Sequence, residues 1–425
     1  MTAGGPRRAM LASIVAVTTA LWIVVGATAA SAHDGHNWQD AVYVSPDASS
    51  SGSGWSCDTA TFTSINAAVS AAAAWSTVVV CPGTYAEDVI IAKPLTLVGR
   101  QATIDATGLE NAVQVVSSDV TVRRLTLENA NGEGLLAGID SLADIGMLPP
   151  GPPVLSDISV DEVQAINNDK GFNGTEQSNC KYPGDCGGGI HFNVVTSSEI
   201  TDSHVVGNAD GILLTDDYGP NSDNVVSDNY VADNTHECGI VLPSHNPGAV
   251  SFNPTTMVVT GRNPDVGGVF DNVVTDNVVL RNGTDKAPPQ FGGGGSGAGV
   301  GIFGSGPGTG AYDNVVRDNY ISGSGMAGFT IHAHLPGGED VNGNKVIDND
   351  FGTNNVGGDG FDGPPGPTNF ATTAIAVYSA PTVEMTIRGN HIRDNAIGIW
   401  LSTTVTAHGL PANHFHNVPT HVVTG

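Results

Sequence analysis

The chain has 425 residues, and its 15 Lys and Arg against 42 Asp and Glu give a formal net charge of −27 at pH 7. This acidity argues against nucleic acid or an anionic membrane as a partner, and against long polyanions unless a local basic pocket offsets it. Only 13% of residues are charged and 56 are Gly, which excludes a highly charged disordered chain and suits a β-rich body with tight turns.

Residues 1–32 have the pattern of a secretory signal peptide. Arg7 and Arg8 precede an apolar run from Leu11 to about residue 27, and small residues follow up to Ala32. An uncleaved membrane anchor is the alternative, because the apolar run is long. We predict a secreted, extracellular protein that does not insert into the membrane after cleavage, since no later stretch is apolar enough to span a bilayer.

The next segments are predicted from local composition. Residues 33–60 are rich in Ser and Gly, which predicts an irregular segment with one strand near 41–45. Residues 63–75 favour an amphipathic helix that closes the end of a β-solenoid. Short β-branched runs then predict strands at 77–81, 89–91, 95–98, 102–105, 113–116 and 120–127.

Four stretches of this block, 65–69, 78–85, 93–99 and 102–105, carry recognisable motifs. With them the chain resembles the secreted right-handed parallel β-helix family that includes the pectate lyases, closely over 60–130 and more loosely beyond. The resemblance implies the fold. It implies no catalytic residues, because that family includes lyases, hydrolases, epimerases and non-enzymes, and no calcium-binding Asp cluster with an Arg base can be matched here.

Five copies of the pattern Asn-x-Val/Ile-x-Asp-Asn follow at uneven intervals, starting at Asn224, Asn272, Asn314, Asn344 and Asn390. A fixed motif with variable spacing indicates a solenoid whose coils share a core but differ in loop length. We expect these Asn and Asp-Asn positions to stack at turns, because Asn tolerates left-handed backbone geometry and amides can form ladders. The prediction is an all-β, right-handed parallel β-helix with a short N-terminal capping helix, forming one domain over 61–425.

Five cysteines follow the signal region, and an exported chain favours disulfides. We predict the pairs Cys57–Cys81 and Cys180–Cys186. Cys238 remains, and we expect it to be a buried thiol rather than a reactive one, although the sequence alone leaves its role open.

A second strand in each coil begins at a small residue and supplies the candidate catalytic residues. Aligning segments on Gly211, Gly239, Gly301, Gly328, Ala374 and Gly398 places Asp217 beside His245, with His332 and His334 two coils further along the same face. A carboxylate can orient an imidazole for proton transfer near neutral pH. We therefore predict a catalytic set of Asp217, His245, His334, His332 and Asp216, against the alternative that these are ordinary polar strand ends.

Other candidates lie near this set in the sequence or on long loops. The predicted substrate-binding residues are Tyr218, His236, Glu237, Arg262 and Tyr378. Arg281 and Lys286 are, with Arg262, the loop candidates for neutralising a uronate. No metal site or cofactor is predicted, although a divalent metal at the two histidines near residue 333 stays open because alternate residues share a face.

The sequence supports three classes of function. The first is a secreted carbohydrate-active enzyme, a polysaccharide lyase, epimerase or hydrolase, acting on a neutral or weakly charged glycan. The second is a non-enzymatic extracellular binding or surface protein whose loops recognise a partner. The third is a β-helix recruited as a cyclase for a small molecule.

Overall fold

Parallel strand pairing between successive coils dominates the structure, which is a computed structural model. It describes residues 41–49, 51–139, 153–169, 188–286, 294–333, 337–358 and 371–425. The predicted signal peptide and the Cys180–Cys186 pair lie outside these ranges. Parallel crossovers are right-handed, and the predicted right-handed parallel β-helix is confirmed.

Three parallel sheets form the walls of the solenoid. Sheet A has 21 strands: Val42–Val44, Thr77–Val80, Gly83–Tyr85, Leu95–Asp105, Val120–Glu128, Ile158–Asp161, Gln164–Ile166, Glu199–Thr201, His204–Val206, Val225–Ser227, Tyr230–Ala232, Val273–Thr275, Val278–Leu280, Val315–Arg317, Tyr320–Ser322, Lys345–Ile347, Asp350–Phe351, Val383–Arg388, His391–Arg393, Val405–His408 and His414–His416. Sheet B has 11 strands: Val89–Ile91, Val113–Val115, Leu135–Ala137, Gly188–Asn193, Asp210–Thr215, Ile240–Ser244, Val300–Gly304, Phe329–Ala333, Thr373–Val377, Ile397–Leu401 and Thr420–Thr424. Sheet C has five: Leu155–Ser156, Val195–Thr196, Asn221–Ser222, Val269–Phe270 and Ala311–Tyr312.

A coil passes through sheet B, then sheet C, then twice through sheet A before it returns to sheet B. Alternate side chains point inward, and the large apolar ones, such as Phe192, Phe329 and Phe351, are fully buried in one continuous core. One antiparallel hairpin, Val250–Asn253 with Val258–Arg262, projects from the turn between sheets B and C. One face of sheet B packs on the core, and the other, outer face lies toward the connecting segments. The predicted site residues lie on this outer face.

Asp-Asn pairs form the corners of the coils, and the two residues have different roles. Asp223, Asp228 and Asp233 adopt left-handed φ angles of 58, 59 and 57°. The Asn after each Asp is buried and forms a hydrogen-bonded ladder through the coils, as Asn224 does with Asn272. Stacking of the Asn positions is confirmed, but the left-handed residue is the Asp and not the Asn, because the Asn side chain must point inward to reach the next coil.

The longest ladder among the described residues joins eight coils and begins at the backbone N–H of Val163, which donates to Ser203 Oγ. Each backbone N–H donates to the side-chain oxygen of the residue one coil further on, through Ser203, Asn229, Asn277, Asn319, Asn349, Asn390 and Asn413. In this ladder Asn390, the first Asn of the fifth repeat, follows Asn349, the second Asn of the fourth. The fifth repeat is thus displaced by one corner. At this corner Gly389, with φ 72°, supplies the left-handed residue that Asp supplies at the Asp-Asn corners, whereas Asn413 follows the 3₁₀ turn Leu410–Ala412.

The N-terminal end is closed by the predicted helix, which is shorter than residues 63–75. The α-helix spans Ile65–Ala71 and packs Ile65, Ala68 and Val69 against the core. The Glu87 carboxylate accepts hydrogen bonds from the first backbone N–H groups of the helix. The chain leaves helical geometry at Ala72, where ψ becomes 142°.

Most N-terminal strands lie where they were predicted. Two predicted strands, 95–98 and 102–105, form a single strand, Leu95–Asp105, with a register shift between Val98 and Ala102. Among the described residues, no helix is both long and apolar enough to cross a lipid bilayer. Short 3₁₀ turns occupy Cys57–Thr59 and Leu410–Ala412.

The predicted disulfide between Cys57 and Cys81 is confirmed, with 24 residues separating its ends. We expect a variant with both cysteines changed to Ser to lose about 3 kcal/mol of unfolding free energy, because the open chain gains loop entropy. Chemical denaturation under non-reducing conditions measures the loss. Equal midpoints for the variant and the wild type would mean that this end of the solenoid does not unfold with the rest.

Candidate functional site

The ends of two neighbouring sheet B strands bring the central predicted residues together. Strands Asp210–Thr215 and Ile240–Ser244 pair in parallel, with Ile212 beside Ile240. This register continues past the strand ends, so that Asp217 lies beside His245 as the alignment predicts. Both follow strand positions that point away from the core.

Asp217 and His245 form a hydrogen-bonded pair. The distance from Asp217 Oδ1 to His245 Nδ1 is 2.8 Å, and the side chains are only 9% and 11% exposed. Burial alone would raise the pKa of Asp217, but the hydrogen bond from His245, the charges of His245 and His191, and a bond from Asn193 together lower it. The carboxylate is therefore held in its ionised form, which fixes the ring of His245 with Nδ1 as a donor.

Asn193 binds the second oxygen of this carboxylate, and Tyr218 is linked to the backbone of Asn193 and of Ile139. Asn193 donates from Nδ2 to Asp217 Oδ2 at 2.8 Å and to the backbone carbonyl of Ile139 at 2.9 Å. The Tyr218 hydroxyl accepts from the backbone N–H of Ile139 at 2.9 Å. Tyr218, predicted to bind substrate, thus lies beside the pair and ties the segment that ends at Ile139 to it.

Asp216 adjoins the pair in sequence but points into the protein. Its fully buried carboxylate accepts hydrogen bonds from Ser244 Oγ and from the backbone N–H groups of His245, Asn246 and Gly268. Burial raises its pKa to about 6, against the lowering effect of these neighbours. The arrangement makes Asp216 an anchor for the chain around His245 and leaves it no direct route to a ligand.

A second buried chain of polar residues runs across the same face of sheet B. His191 Nδ1 lies 3.0 Å from Glu133 Oε1, and His191 Nε2 lies 2.7 Å from Thr215 Oγ1. All three side chains are buried. Neither Glu133 nor His191 is among the residues predicted from the sequence. His191 lies in strand Gly188–Asn193, three residues before Val194, where the chain turns toward sheet C. The repeat pattern does not define the register of this strand.

The floor between these polar residues and the next coils is apolar. Leu213, Val241 and Phe303 point away from the core, yet they are buried in a separate cluster with Met326. The Phe303 ring lies across Gly301, where an added Cβ would be 2.4 Å from the ring. Gly301 is needed for this close approach.

The alignment of this coil was wrong by two residues. Ile240 pairs with Val300, so the residue equivalent to Gly239 is Gly299 and not Gly301. Phe303 therefore lies between Pro243 and His332 in one row. Strand pairing keeps His332 two coils from Pro243, as predicted; its side chain and all of His334 lie outside what the structure describes.

The remaining predicted ligand-binding residues are spread over the molecule. Tyr378 is half-buried against Ala376 and Trp400, three coils beyond the pair. His236 and Glu237 precede strand Ile240–Ser244, whereas His245 follows it, so a strand about 16 Å long separates them. His236 pairs with Asp285 at 2.7 Å.

Arg262 is held by acidic and aromatic neighbours at the end of the hairpin. Its Nε lies 2.7 Å from Asp340 Oδ2, its Nη1 contacts Asp313, and its guanidinium carbon lies 3.8 Å from the centre of the Tyr312 ring. Arg281 likewise forms a two-point pair with Asp233. Both loop arginines are thus engaged by carboxylates of the protein itself.

Cysteine and metal chemistry add little to the site as described. Cys238 is buried, and its Sγ accepts a hydrogen bond from the backbone N–H of Ala298 at 3.3 Å. Within the described ranges, no three His, Cys, Asp or Glu side chains converge on a point where a metal ion could sit.

The fold and this site define a right-handed parallel β-helix protein with a buried Asp-His pair on the outer face of one sheet. A family model described as "Periplasmic copper-binding protein (NosD)" matches residues 179–363, less than half of the chain. No curated protein sequence matches the chain.

Solved structures with a similar course include pectate lyase Pel9A, at 14% identity and a TM-score of 0.45, covering 88% of this chain and 78% of that one. The mannuronan C-5 epimerase AlgE4 A-module of Azotobacter vinelandii matches at 15% identity and a TM-score of 0.45, covering 85% of this chain and 94% of that one. The GH136 lacto-N-biosidase of Eubacterium ramulus matches at 13% identity and a TM-score of 0.45, covering 88% of this chain and 67% of that one.

Proposed function

We propose that the protein is an exported carbohydrate-active enzyme that removes a proton from carbon, as a lyase or epimerase does. The hydrogen bond between Asp217 and His245 carries this proposal. Because the ionised Asp217 accepts a hydrogen bond from Nδ1–H, the lone pair of the neutral ring lies on Nε2, which can then accept a proton from substrate. The low exposure of both side chains limits water at the base and strengthens the pairing.

Hydrolysis of a glycosidic bond is less well supported by this geometry. Glycosidases use two carboxyl groups about 5–9.5 Å apart, one on each side of the bond. Here Asp217 is engaged by His245 and Asn193, and Asp216 has both oxygens occupied inside the protein.

An imidazole base oriented by a carboxylate instead suits proton abstraction next to a carbonyl group. In elimination, the C–H electrons would form a double bond as the glycosidic oxygen leaves and takes up a proton. In epimerisation, a proton would return to the opposite face.

The negative net charge of the chain limits the charge that a sugar substrate can carry. Proton abstraction from carbon needs an adjacent electron-withdrawing group, which in acidic sugars is a carboxylate that requires neutralisation. The loop arginines Arg262 and Arg281 are both paired with Asp residues, and the chain carries −27 overall. We therefore propose a substrate in which this carboxyl group is uncharged, such as an esterified uronate.

A product screen with isosteric variants tests the proposal. The wild type, Asp217→Asn and His245→Gln are incubated with free and esterified glycans, and products are identified by mass. We expect unsaturated or epimerised products from esterified substrates and a loss of about 10²–10⁴-fold in rate in both variants. His236→Gln is the matched control, since His236 also pairs with an Asp but lies beyond the opposite end of the strand, and its rate should equal that of the wild type.

Two results would contradict the proposal. Products heavier by one water would identify a hydrolase. Products at an undiminished rate from both variants would remove Asp217 and His245 from the chemistry. Epimerisation, which changes no mass, is detected by incorporation of deuterium from D₂O at the reacting carbon.

The family match favours a second candidate, a periplasmic copper-binding protein. The matched segment, 179–363, contains His191, His204, His236 and His245. Competition for copper ions against a chelator of known affinity tests this candidate. A site whose affinity falls in His245→Gln but not in His236→Gln would assign copper to the same face, and the absence of competition by the mature chain would exclude it.

A further inference from the structure

Two parallel rows of hydrogen bonds cross the outer face of sheet B. The first joins Glu133, His191 and Thr215 across three neighbouring coils. The second joins Asn193, Asp217 and His245, also across three coils. Asn193 and Asp217 each lie two residues beyond a member of the first row, a displacement of about 6.6 Å along the strand, and Asn193 pairs directly with Thr215 on the neighbouring strand.

The first row contains a buried carboxylate with one counter-group. Glu133 has no exposed surface, and His191 is its hydrogen-bond partner at 3.0 Å. Among the described atoms, Glu133 Oε2 has no hydrogen bond. An ionised carboxylate in such a place is costly unless a positive charge lies beside it. The Thr215 hydroxyl can accept a hydrogen bond from Nε2–H as readily as donate one to Nε2, so its contact is compatible with a proton on each nitrogen of His191.

We infer that Glu133 and His191 form a buried ion pair. The positive charge on His191 favours the ionised form of Asp217 and the neutral form of His245. This inference rests on the proposed function only in taking His245 as the reactive base. The groups that face the pair are His191 and Glu133 in the first row, Asp216 beneath it, and Tyr218 beside it. Of these four groups, only His191 can carry a positive charge, which it does when both ring nitrogens are protonated.

The effect of this charge on the two members of the pair has a definite direction. It favours the ionised form of Asp217, and the pKa of that carboxyl is lowered in part by His191. It also opposes protonation of His245. An Asp partner alone would stabilise the imidazolium form of His245 and so remove its ability to accept a proton. The buried ion pair counteracts this and keeps His245 neutral at lower pH.

Titration of the His245 ring by NMR tests the inference without any substrate. Spectra of the wild type and of His191→Gln are recorded against pH, with His245→Gln used for assignment. Gln keeps hydrogen-bonding groups for Glu133 and Thr215 but carries no charge. We expect the His245 midpoint to rise by about one pH unit in His191→Gln, because a nearby positive charge on the same face of sheet B is removed. Glu133→Gln should move it in the same direction, since His191 then loses its counter-charge.

A merely structural role predicts a different set of results. His191→Ala would then unfold at lower denaturant concentration, whereas His191→Gln would keep the wild-type midpoint of His245. An unchanged midpoint in folded His191→Gln overturns the inference. If His191→Gln does not fold, the midpoint in Glu133→Gln decides. A product screen without activity would refute the proposed function and leave this titration result standing.

Discussion

Replacing Asn277 by Ala should cost about 3–5 kcal/mol of unfolding free energy, although the change removes only one small side chain. Asn277 Oδ1 accepts from both the backbone N–H and the side-chain Nδ2 of Asn229, and its own Nδ2 donates to the carbonyls of Val226 and Thr275. Without it, two buried donors of Asn229 lose their acceptor, at about 1–3 kcal/mol each. Water cannot replace the amide, because Asn277 and its neighbours in the ladder are fully buried.

Urea denaturation measures this loss, with Asn417→Gly as control, because Asn417 has a left-handed φ of 56° that Ala would strain and Gly tolerates. Asn417 also donates to a neighbouring coil, through a bond to Asp394, but it is exposed. Its replacement should change the unfolding free energy by no more than about 0.5 kcal/mol. Equal losses in the two variants would show that the ladder contributes no more than a surface hydrogen bond.

Asp216→Ala should be similarly destabilising and should also disturb His245. The substitution removes the acceptor of three backbone N–H groups and of the Ser244 hydroxyl, at an expected total of about 3–5 kcal/mol. Asp216→Asn keeps one oxygen and should lose less. Denaturation midpoints of both variants give the two losses, and we expect the Ala variant to be the less stable.

The titration of Asp216 makes its contribution dependent on pH. Its pKa rises from 3.8 in the unfolded chain to about 6 in the folded protein. A raised carboxyl pKa contributes stability that is fully present below pH 3.8 and is lost as the pH rises through 6. Relative to Asp216→Asn, the wild type should lose about 2 kcal/mol between pH 4 and pH 7. Parallel stability curves for the two proteins over this range would contradict the assigned pKa.

The fold was predictable because every coil repeats the same requirement. Most corners place a left-handed residue before a buried Asn, and the Asp-Asn pairs supply both in the sequence itself. The displacement of the fifth repeat was not predictable from the motif alone. Corners recur every five residues within a coil, from Asn224 to Asn229 to Asn234, so a two-corner motif can move by one corner and still fit.

The site was predictable only where neighbouring coils share an unbroken strand register. Asp217 and His245 lie on adjacent strands with equivalent starts, and their pairing followed from alignment. Gly299 and Gly301 each precede a β-branched residue, and a two-residue shift leaves every side chain on the same face, so the pattern could not distinguish them. Glu133 and His191 are 58 residues apart, with the described chain interrupted between them, and no local periodicity relates them.

The coils of the longest ladder differ in length by a factor of two, between 23 and 48 residues, while the hydrogen-bond geometry at their corners stays the same. The entropy of closing a loop grows only with the logarithm of its length, so doubling a coil costs about 0.6 kcal/mol. That is less than one ladder hydrogen bond contributes when its loss leaves a buried donor. A segment grafted between two corners would thus be held by an unchanged frame. The outer face of sheet B could be given new specificity by exchanging whole loops, without redesign of the core.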